Sequence, residues 1–451
     1  MRKPRPPTTE PKAAGAKKAT ASTGAKRLAS VIARACAHSR PVGLLKFGEQ
    51  GAGDVALAQY VEDSLLPAHT VYSEGSFWVY TGMRWEIIPL NQLEGLVEQI
   101  NRKEYIAEGG QPPKRLSLGD RRVQSIINRL RSRLSRGRED FFKDAPAGIN
   151  CANGFVTFGS DGNPTVIDHS PDHRQRHVLA GRWEPEKGTA PIRDALRVNF
   201  RDGNDAEDKI RLEGQAIAVG LLGLGGQRNS RVVLLVGDSD SGKSTFLDIV
   251  SHALPDGSHT AVPPELWGNP NSRFDLVGKA ANLVAELTDS KPIPENYLKM
   301  GVSGDACPVK KLFRDTETVR LRVQNIWATN PTTMPVIAGG MGREIQKRFV
   351  ILTFNRTIPK NERDDGVEFI GETHAIEFTN FVVEEAARYI KQCGFTVPAS
   401  SADAMDQWVN NDAALAWLSD RLVILEEQRL QVVVANDDNP GKREPILIKE
   451  M

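Results

Sequence analysis

The chain has 451 residues, 40% of them hydrophobic and 25% charged, with 39 Gly and 27 Pro: ordinary globular composition, and length enough for about three domains. Collagen-like, disulfide-scaffold and wholly disordered classes are excluded, and the four scattered cysteines (Cys36, Cys151, Cys307, Cys393) form no CxxC pair for a zinc ribbon or redox motif. Lys and Arg number 58 against 57 Asp and Glu, so the formal net charge of +1 argues neither for nor against a polyanionic partner.

The charge is uneven along the chain. Residues 1–27 hold eight Lys/Arg and one Glu with almost no apolar side chain beyond Ala, which reads as a disordered basic arm, since it buries too little to offset its ordering entropy. Residues 28–200 read as a mixed α/β domain with short strands, including a hairpin over Phe77–Ile88 that turns at Gly82 and a second over Asn153–Thr165. Within it, residues 114–138 carry nine Lys/Arg against Asp120. Outside these two segments 41 basic and 55 acidic residues remain, a net of −14, so the near-zero total conceals two basic elements on an acidic body.

Val123, Ile126, Ile127, Leu130 and Leu134 recur at helical spacing and face a core, leaving Arg122, Arg129, Arg133 and Arg136 on the other face. That face is either simply solvated or a row of phosphate contacts, with Arg122, Arg129 and Arg133 as the candidate DNA-binding residues. His169, His173 and His177 recur every four residues, but Pro171 interrupts the helix on which they would form a metal face. The longest uncharged apolar stretch, Ala216–Gly226, is far short of the ~20 residues of a spanning helix, and no hydrophobic segment follows the basic N-terminus. A cytoplasmic protein with reduced thiols and no membrane partner is the expectation.

From Arg231 buried strands alternate with loops and helices, the pattern of an α/β domain. The apolar strand Val232–Val236 runs into Gly237-Asp238-Ser239-Asp240-Ser241-Gly242-Lys243-Ser244-Thr245 and then a helix, a P-loop in its proper strand–loop–helix context. Glycines there let backbone N–H groups wrap phosphates, Lys243 neutralises phosphate charge, and the Ser244 hydroxyl is a Mg²⁺ ligand, so ATP and Mg²⁺ are the expected ligands. A second buried strand, Ala280–Glu286, delivers Glu286 beside the metal to polarise water, with Asp289 as the weaker candidate. A third, Val323–Ala328, ends in Thr329-Asn330; Asn330 is placed to orient the attacking water, or is a turn starter before Pro331. Arg343 and Arg348 precede the strand Phe349–Phe354 and are candidates to reach the γ-phosphate of a neighbouring subunit. Between them CPVKKLF, a polar turn and TVRLRV read as a hairpin with Lys310, Lys311 and Arg314 near its tip. The C-terminal part reads as a helix near Ala375–Gln392, another over Ala402–Gln428, and a strand pair near 430–449.

The order GDSDSGKST, LVGKAANLVAE, KMGVSGDACPVKKLFRD, IWATNPTTMP, GREIQKRFVILTF resembles helicase superfamily 3, in its phage, plasmid and poxvirus primase-helicase type. INCANGFVTF, the following His169-Ser170-Pro171 and GQAIAVGLLGLG resemble that family's pre-helicase region, so the likeness covers roughly residues 70–395. The resemblance implies an AAA+-like helicase core over residues 201–395, behind a pre-helicase domain over 28–200, with 396–451 a small extension. It makes Gly237–Thr245 motif A, Glu286 motif B, Asn330 the sensor, Arg348 (or Arg343) the arginine finger, and 299–322 a pore hairpin gripping one DNA strand. It implies an ATP-dependent DNA helicase replicating a phage, plasmid or integrated element in a bacterial host. Such an enzyme would be a ring, expected to be a hexamer, on single-stranded and forked DNA, alongside a separate primase or initiator. Ser241 stands where the family often has Asn, and Glu286 is the lone carboxylate ending its strand, leaving Mg²⁺ fewer protein ligands. Fewer than about 200 ordered residues precede the core, so no primase activity is expected, and a C-terminal winged helix is absent or shortened. The alternative, in a different functional class, is an ATP-switched DNA-binding initiator or scaffold that recruits another helicase without unwinding.

If the basic elements carry the DNA affinity, deleting residues 1–27 should flatten the salt dependence of DNA binding, measured as log K against log salt, while ATPase stays nearly unchanged. An unaltered slope would remove the arm from the DNA contact.

Overall fold

The computed structural model describes residues 45–47, 51–107, 112–135, 141–143, 145–201, 203–227, 229–287, 291–311, 316–410, and the strands 422–425, 429–435 and 443–447. The basic arm, Arg136, Asp289 and Arg314 lie outside the described residues. The chain divides into two compact units, Met1–Phe142 and Lys143–Met451.

In the first unit, helices Asp54–Ser64, Leu90–Glu98 and Asp120–Leu134 share one apolar core, built from Leu57, Val61, Leu93, Val97, Ile126 and Leu130 among others. The expected hairpin is present as Ser76–Tyr80 and Trp85–Ile87, with Thr70–Ser73 added antiparallel to the former. Helix Asp120–Leu134 buries Val123, Ile126, Ile127, Leu130 and Leu134, as their spacing requires.

The second unit is built on a five-stranded parallel sheet in the order His259–Thr260, Ala281–Val284, Gln324–Thr329, Val232–Gly237, Phe349–Phe354. Strands buried on both faces read as continuous apolar runs, and here alternate side chains serve two separate cores. Val233, Leu235, Leu283, Ile326, Ala328 and Leu352 pack with residues of helices Ala206–Leu221, Lys243–Ala253 and Ala375–Gln392. Val232, Leu234, Val236, Trp327, Phe349 and Ile351 meet Trp267, Leu298, Val302, Trp408 and the inward side chains of the Ala306–Lys310/Thr316–Arg320 hairpin.

The division at Phe142 falls upstream of the 200/201 boundary expected from sequence. Ile149, Cys151 and Val156, from the antiparallel strands Gly148–Cys151 and Gly154–Phe158, lie in the same core as Val233 and Leu235. A correction concerns the C-terminal part: the described helix spans Ala399–Asn410, and Leu422–Leu425, inside the helix expected over Ala402–Gln428, is a strand. Its Leu-Val-Ile-Leu run suits a pleated strand better than a helix, and with Arg429–Ala435 and Arg443–Leu447 it forms a three-stranded antiparallel sheet instead of a pair. Helix Ala399–Asn410 packs on the edge strand Phe349–Phe354, where Ser401 Oγ accepts the Ile351 N–H at 3.0 Å. That gives an otherwise unpaired edge N–H a partner.

Two buried carboxylates lie among the helices. Glu385 is fully buried but paired with Arg193 at 2.6 Å, and the same guanidinium holds Glu207 at 2.8 Å and Glu384 at 3.1 Å, tying three helices together. Glu213 is fully buried too, and neither of its oxygens has a hydrogen-bond partner among the described residues. Burial pushes its carboxyl well above the ordinary carboxylate range, with Lys209 one turn away opposing the shift. A raised folded-state value adds stability in full below the ordinary carboxylate range, and that stability is lost as pH rises through the raised value. Glu213→Gln is neutral throughout, so its thermal midpoint should fall less than that of the wild type between about pH 5 and pH 8. Parallel curves would mean that Glu213 has found a partner.

Candidate functional site

Parallel register decides what gathers at the C-terminal end of the sheet. Val236 lies beside Thr329 and Val284 beside Trp327, so the segments leaving these three strands emerge together. They are the Gly237–Thr245 loop, Ala285-Glu286, and Asn330.

The loop is shaped by backbone constraints that glycine meets. Gly242 has φ +99 immediately before helix Lys243–Ala253, and a Cβ there would lie 2.4 Å from Asn199 Oδ1. A Cβ on Gly237 would lie 2.4 Å from the Phe354 carbonyl oxygen. Asp240 holds φ +60 without being glycine. Its carbonyl accepts the Ile358 N–H at 2.9 Å, and its carboxylate lies 3.2 Å from Arg363.

Lys243 opens the helix and is only 8% exposed. Its Nζ donates to the carbonyls of Gly237 at 2.5 Å and Asp238 at 2.7 Å, with Ser241 Oγ and Asn330 Oδ1 each at 3.4 Å. Burial pushes the Lys243 ammonium below its usual range, and the carboxylates of Asp238 and Glu286 oppose that shift. Glu286 is exposed, two residues past its strand, and acts on Lys243 through charge. Asp238, Ser239, Asp240 and Ser244 are exposed, Thr245 is half-buried, and Ser241 is buried with its hydroxyl donating to Asp238 O at 2.8 Å. Loop, lysine, Glu286 and Asn330 thus converge on one spot: a cationic group in the first turn of a helix, held by loop carbonyls, with a carboxamide at 3.4 Å and the charge of a carboxylate acting on it. Such an arrangement can hold a phosphate chain and position a water against it.

The arginines do not converge there within one chain. The Val232 N–H donates to Arg348 O at 2.8 Å, so Arg348 precedes the N-terminal end of the strand pair whose C-terminal end carries the loop. Six residues of strand, about 20 Å, lie between. The Arg348 guanidinium bonds the Glu344 carbonyl and lies 3.9 Å from its carboxylate, while its Nε is buried without a hydrogen-bond partner among the described residues. Arg343 is exposed in the first turn of the short helix Arg343–Gln346.

The hairpin forms as its sequence requires, with Cys307, Val309 and Val319 inward and Lys310 and Lys311 exposed; Lys311 Nζ sits 5.5 Å from the Phe274 ring centroid. On helix Asp120–Leu134 the arginines divide. Arg122 pairs with Asp54 at 2.9 Å and bonds the Ala52 carbonyl, and Arg133 pairs with Glu62 at 2.5 Å and with Gln59. Arg129 is exposed on the outer face of this helix, together with Arg121, Gln124 and Asn128.

The three histidines take separate partners: His169 pairs with Asn150 at 3.0 Å, His173 stacks on Phe155 at 4.1 Å, and His177 pairs with Ser258 at 2.8 Å. Among the described residues no group of three His, Cys, Asp or Glu is arranged to hold a metal. Sequence reasoning missed Asn199, Ile358 and Arg363, which press on the loop from outside the motif. Their distance along the chain left no local signal, and only the need of a left-handed glycine for close neighbours hints at them.

No family model matches the chain, and no curated protein does. Among solved structures it is similar to an apo structure of the NrS-1 C terminal region, at 12% identity and TM-score 0.43 over 78% of this chain and 74% of that one. A second apo structure of that region (305–718) gives TM-score 0.42 at 12% identity over 82% and 80%. A JCV helicase bound to a thiazolopyridine-containing acetamide gives TM-score 0.27 at 13% identity over 65% and 75%.

Gly242→Ala would meet both a left-handed φ and the Asn199 carboxamide, and should cost about 1–3 kcal/mol in chemical denaturation. Gly257 has φ +75 with open space around it, so Gly257→Ala should lose less, the difference measuring the clash. Equal losses would show that Asn199 yields freely.

Proposed function

We propose that this chain is an ATP-dependent DNA helicase of the superfamily 3 type, working as a ring of identical subunits on single-stranded DNA. The observation that carries this reading is the convergence of Lys243, Asn330 Oδ1 and the Glu286 charge at the mouth of a loop whose Gly237 and Gly242 tolerate no side chain. These residues fit a nucleoside triphosphate. Backbone N–H groups of Gly237–Thr245 would wrap the phosphates, with Lys243 turning from the loop carbonyls to the phosphate oxygens. Ser244 and Glu286 would hold Mg²⁺, which supplies charge neutralisation between the phosphate groups. Glu286 would polarise the attacking water, and Asn330 would orient it.

Arg348, with Arg343 as the alternative, would complete the site of the next subunit; its place at the far end of the sheet leaves it no role in its own. The exposed Lys310 and Lys311, joined in sequence by Arg314, would meet the DNA strand in the central channel. Arg129 is the helix arginine best placed for phosphate, whereas Arg122 and Arg133 would have to leave ion pairs. Replication of a phage, plasmid or integrated element in a bacterial cytoplasm, a hexameric ring and a separate primase complete the proposal. No helix among the described residues is long and apolar enough to cross a membrane.

A second reading, an ATP-switched initiator or scaffold, is favoured by the exposed Arg121 and Arg129 on helix Asp120–Leu134, which would offer a DNA contact in the unit without the loop. ATP-dependent assembly on tailed forks without strand displacement would select it.

Lys243→Ala should lower ATP turnover by at least about a hundredfold while far-UV circular dichroism stays as in the wild type. Mixing Lys243→Ala with Arg348→Ala subunits should restore part of the activity, because some interfaces then hold one intact lysine and one intact arginine. Full turnover by Lys243→Ala would sink the site assignment, and no recovery in demonstrably mixed rings would sink the role of Arg348.

A further inference from the structure

The phosphate loop carries two carboxylates, Asp238 and Asp240, where a polyphosphate is proposed to sit, and like charges at that range repel. Asp238 has the buried Lys243 ammonium against its carbonyl. Asp240 is answered from elsewhere. Beyond the edge strand Phe349–Phe354 the chain returns across the loop, and three contacts close a ring. The Ile358 N–H donates to Asp240 O at 2.9 Å, Arg363 Nη2 lies 3.2 Å from Asp240 Oδ2, and Arg363 Nε donates to Ile358 O at 3.1 Å. Ile358 is nearly buried, its Cδ1 3.2 Å from where a Gly242 Cβ would stand. The ring therefore grips the two residues of the loop with left-handed φ, Asp240 at +60 and Gly242 at +99.

We propose that Arg363 is a positioning residue for the nucleotide: it cancels the Asp240 charge and pins the left-handed turn, so that the loop presents N–H groups to phosphate without an uncompensated carboxylate beside it. This rests on reading the loop as an ATP site. The two side chains are 40% and 61% exposed, so the pair adds little to fold stability. Its loss should appear in ligand affinity and not in the unfolding midpoint, which is what separates positioning from a merely structural contact.

The test is a titration of the full chain with a fluorescent N-methylanthraniloyl ATP and Mg²⁺, run on wild type, Arg363→Ala, Asp240→Asn and the double variant. Arg363→Ala should weaken binding roughly fivefold, with an unchanged thermal midpoint and a penalty that shrinks from about 50 to about 500 mM salt. Asp240→Asn should bind as well as wild type or better. The double variant should return to within about twofold of Asp240→Asn, because no charge is left to cancel. Wild-type affinity in Arg363→Ala overturns the proposal. So does a double variant as weak as Arg363→Ala, which would mean that the Asp240 charge is not what Arg363 answers. Lys243→Ala serves as the separate control: if it binds the probe as tightly as wild type, the ATP reading falls, whatever Arg363 does.

Discussion

The site depends on the parallel register of Val232–Gly237 between Gln324–Thr329 and Phe349–Phe354. With both faces of the sheet apolar, alternation alone does not fix that register; side-chain size does. Trp327 fills the face where Trp267 lies 5.6 Å and Phe349 6.1 Å from it, ring centre to ring centre. Its neighbours Ile326 and Ala328 point to the helical face. On that side helix Ala206–Leu221 comes so close that a Cβ on Gly220 would lie 2.4 Å from the Ala280 carbonyl oxygen. A one-residue slip would turn the indole to the helical face, now lined by Ile326 and Ala328, and leave a void where it had been. The strand ends are therefore held level, and the loop, Glu286 and Asn330 open on the same edge.

Electrostatics then shape what the edge can accept. Lys243 is held nearly buried by carbonyl oxygens, a weaker cage than carboxylates would make, and one that phosphate oxygens can compete with. Glu286, by contrast, is exposed and acts on the lysine across space, as the role proposed for it would require. The strongly committed charges belong to other segments than the loop: Arg193 is occupied by three carboxylates and Arg356 by Glu362 at 2.7 Å. The surrounding segments carry locked ion pairs, while the loop holds a buried lysine on neutral carbonyls and two exposed carboxylates.

This division explains how much the sequence disclosed. The loop was legible because its constraint is local, with glycines and lysine at fixed offsets between an apolar strand and a helix. Glu286 and Asn330 were legible as polar residues ending apolar runs, and the hairpin as two alternating strands around a polar turn. Long-range pairing was not legible. Arg122 and Arg133 look alike from their own helix, and only their packing on helix Asp54–Ser64 shows that Asp54 and Glu62 engage them while Arg129 stays exposed. The same holds for Arg363, whose partner lies far back in the chain, and for the strand Gly148–Cys151, which pairs with Gly154–Phe158 of the expected Asn153–Thr165 hairpin and carries it into the core of Val233 and Leu235. The helix expected over Ala402–Gln428 fails for a local reason: it takes in Leu422–Leu425, where Val and Ile favour strand pairing.

The two faces of the sheet also divide the labour that a ring would need. Helix Lys243–Ala253 packs on one face through Phe246, Leu247 and Val250. The segment leading to Arg348 packs on the other through Met341 and Ile345, in the same core as Val309 and Val319 of the hairpin. Arginine segment and hairpin thus share one apolar layer, and dense packing leaves that layer little freedom to shear internally. Under the ring reading, a subunit that shifts its Arg348 toward a neighbour's phosphates carries its Lys310 and Lys311 along with it. The coupling between hydrolysis at an interface and displacement of DNA would then need no hinge within the layer. It would need only a rigid sheet with its nucleotide loop at one end and its arginine at the other.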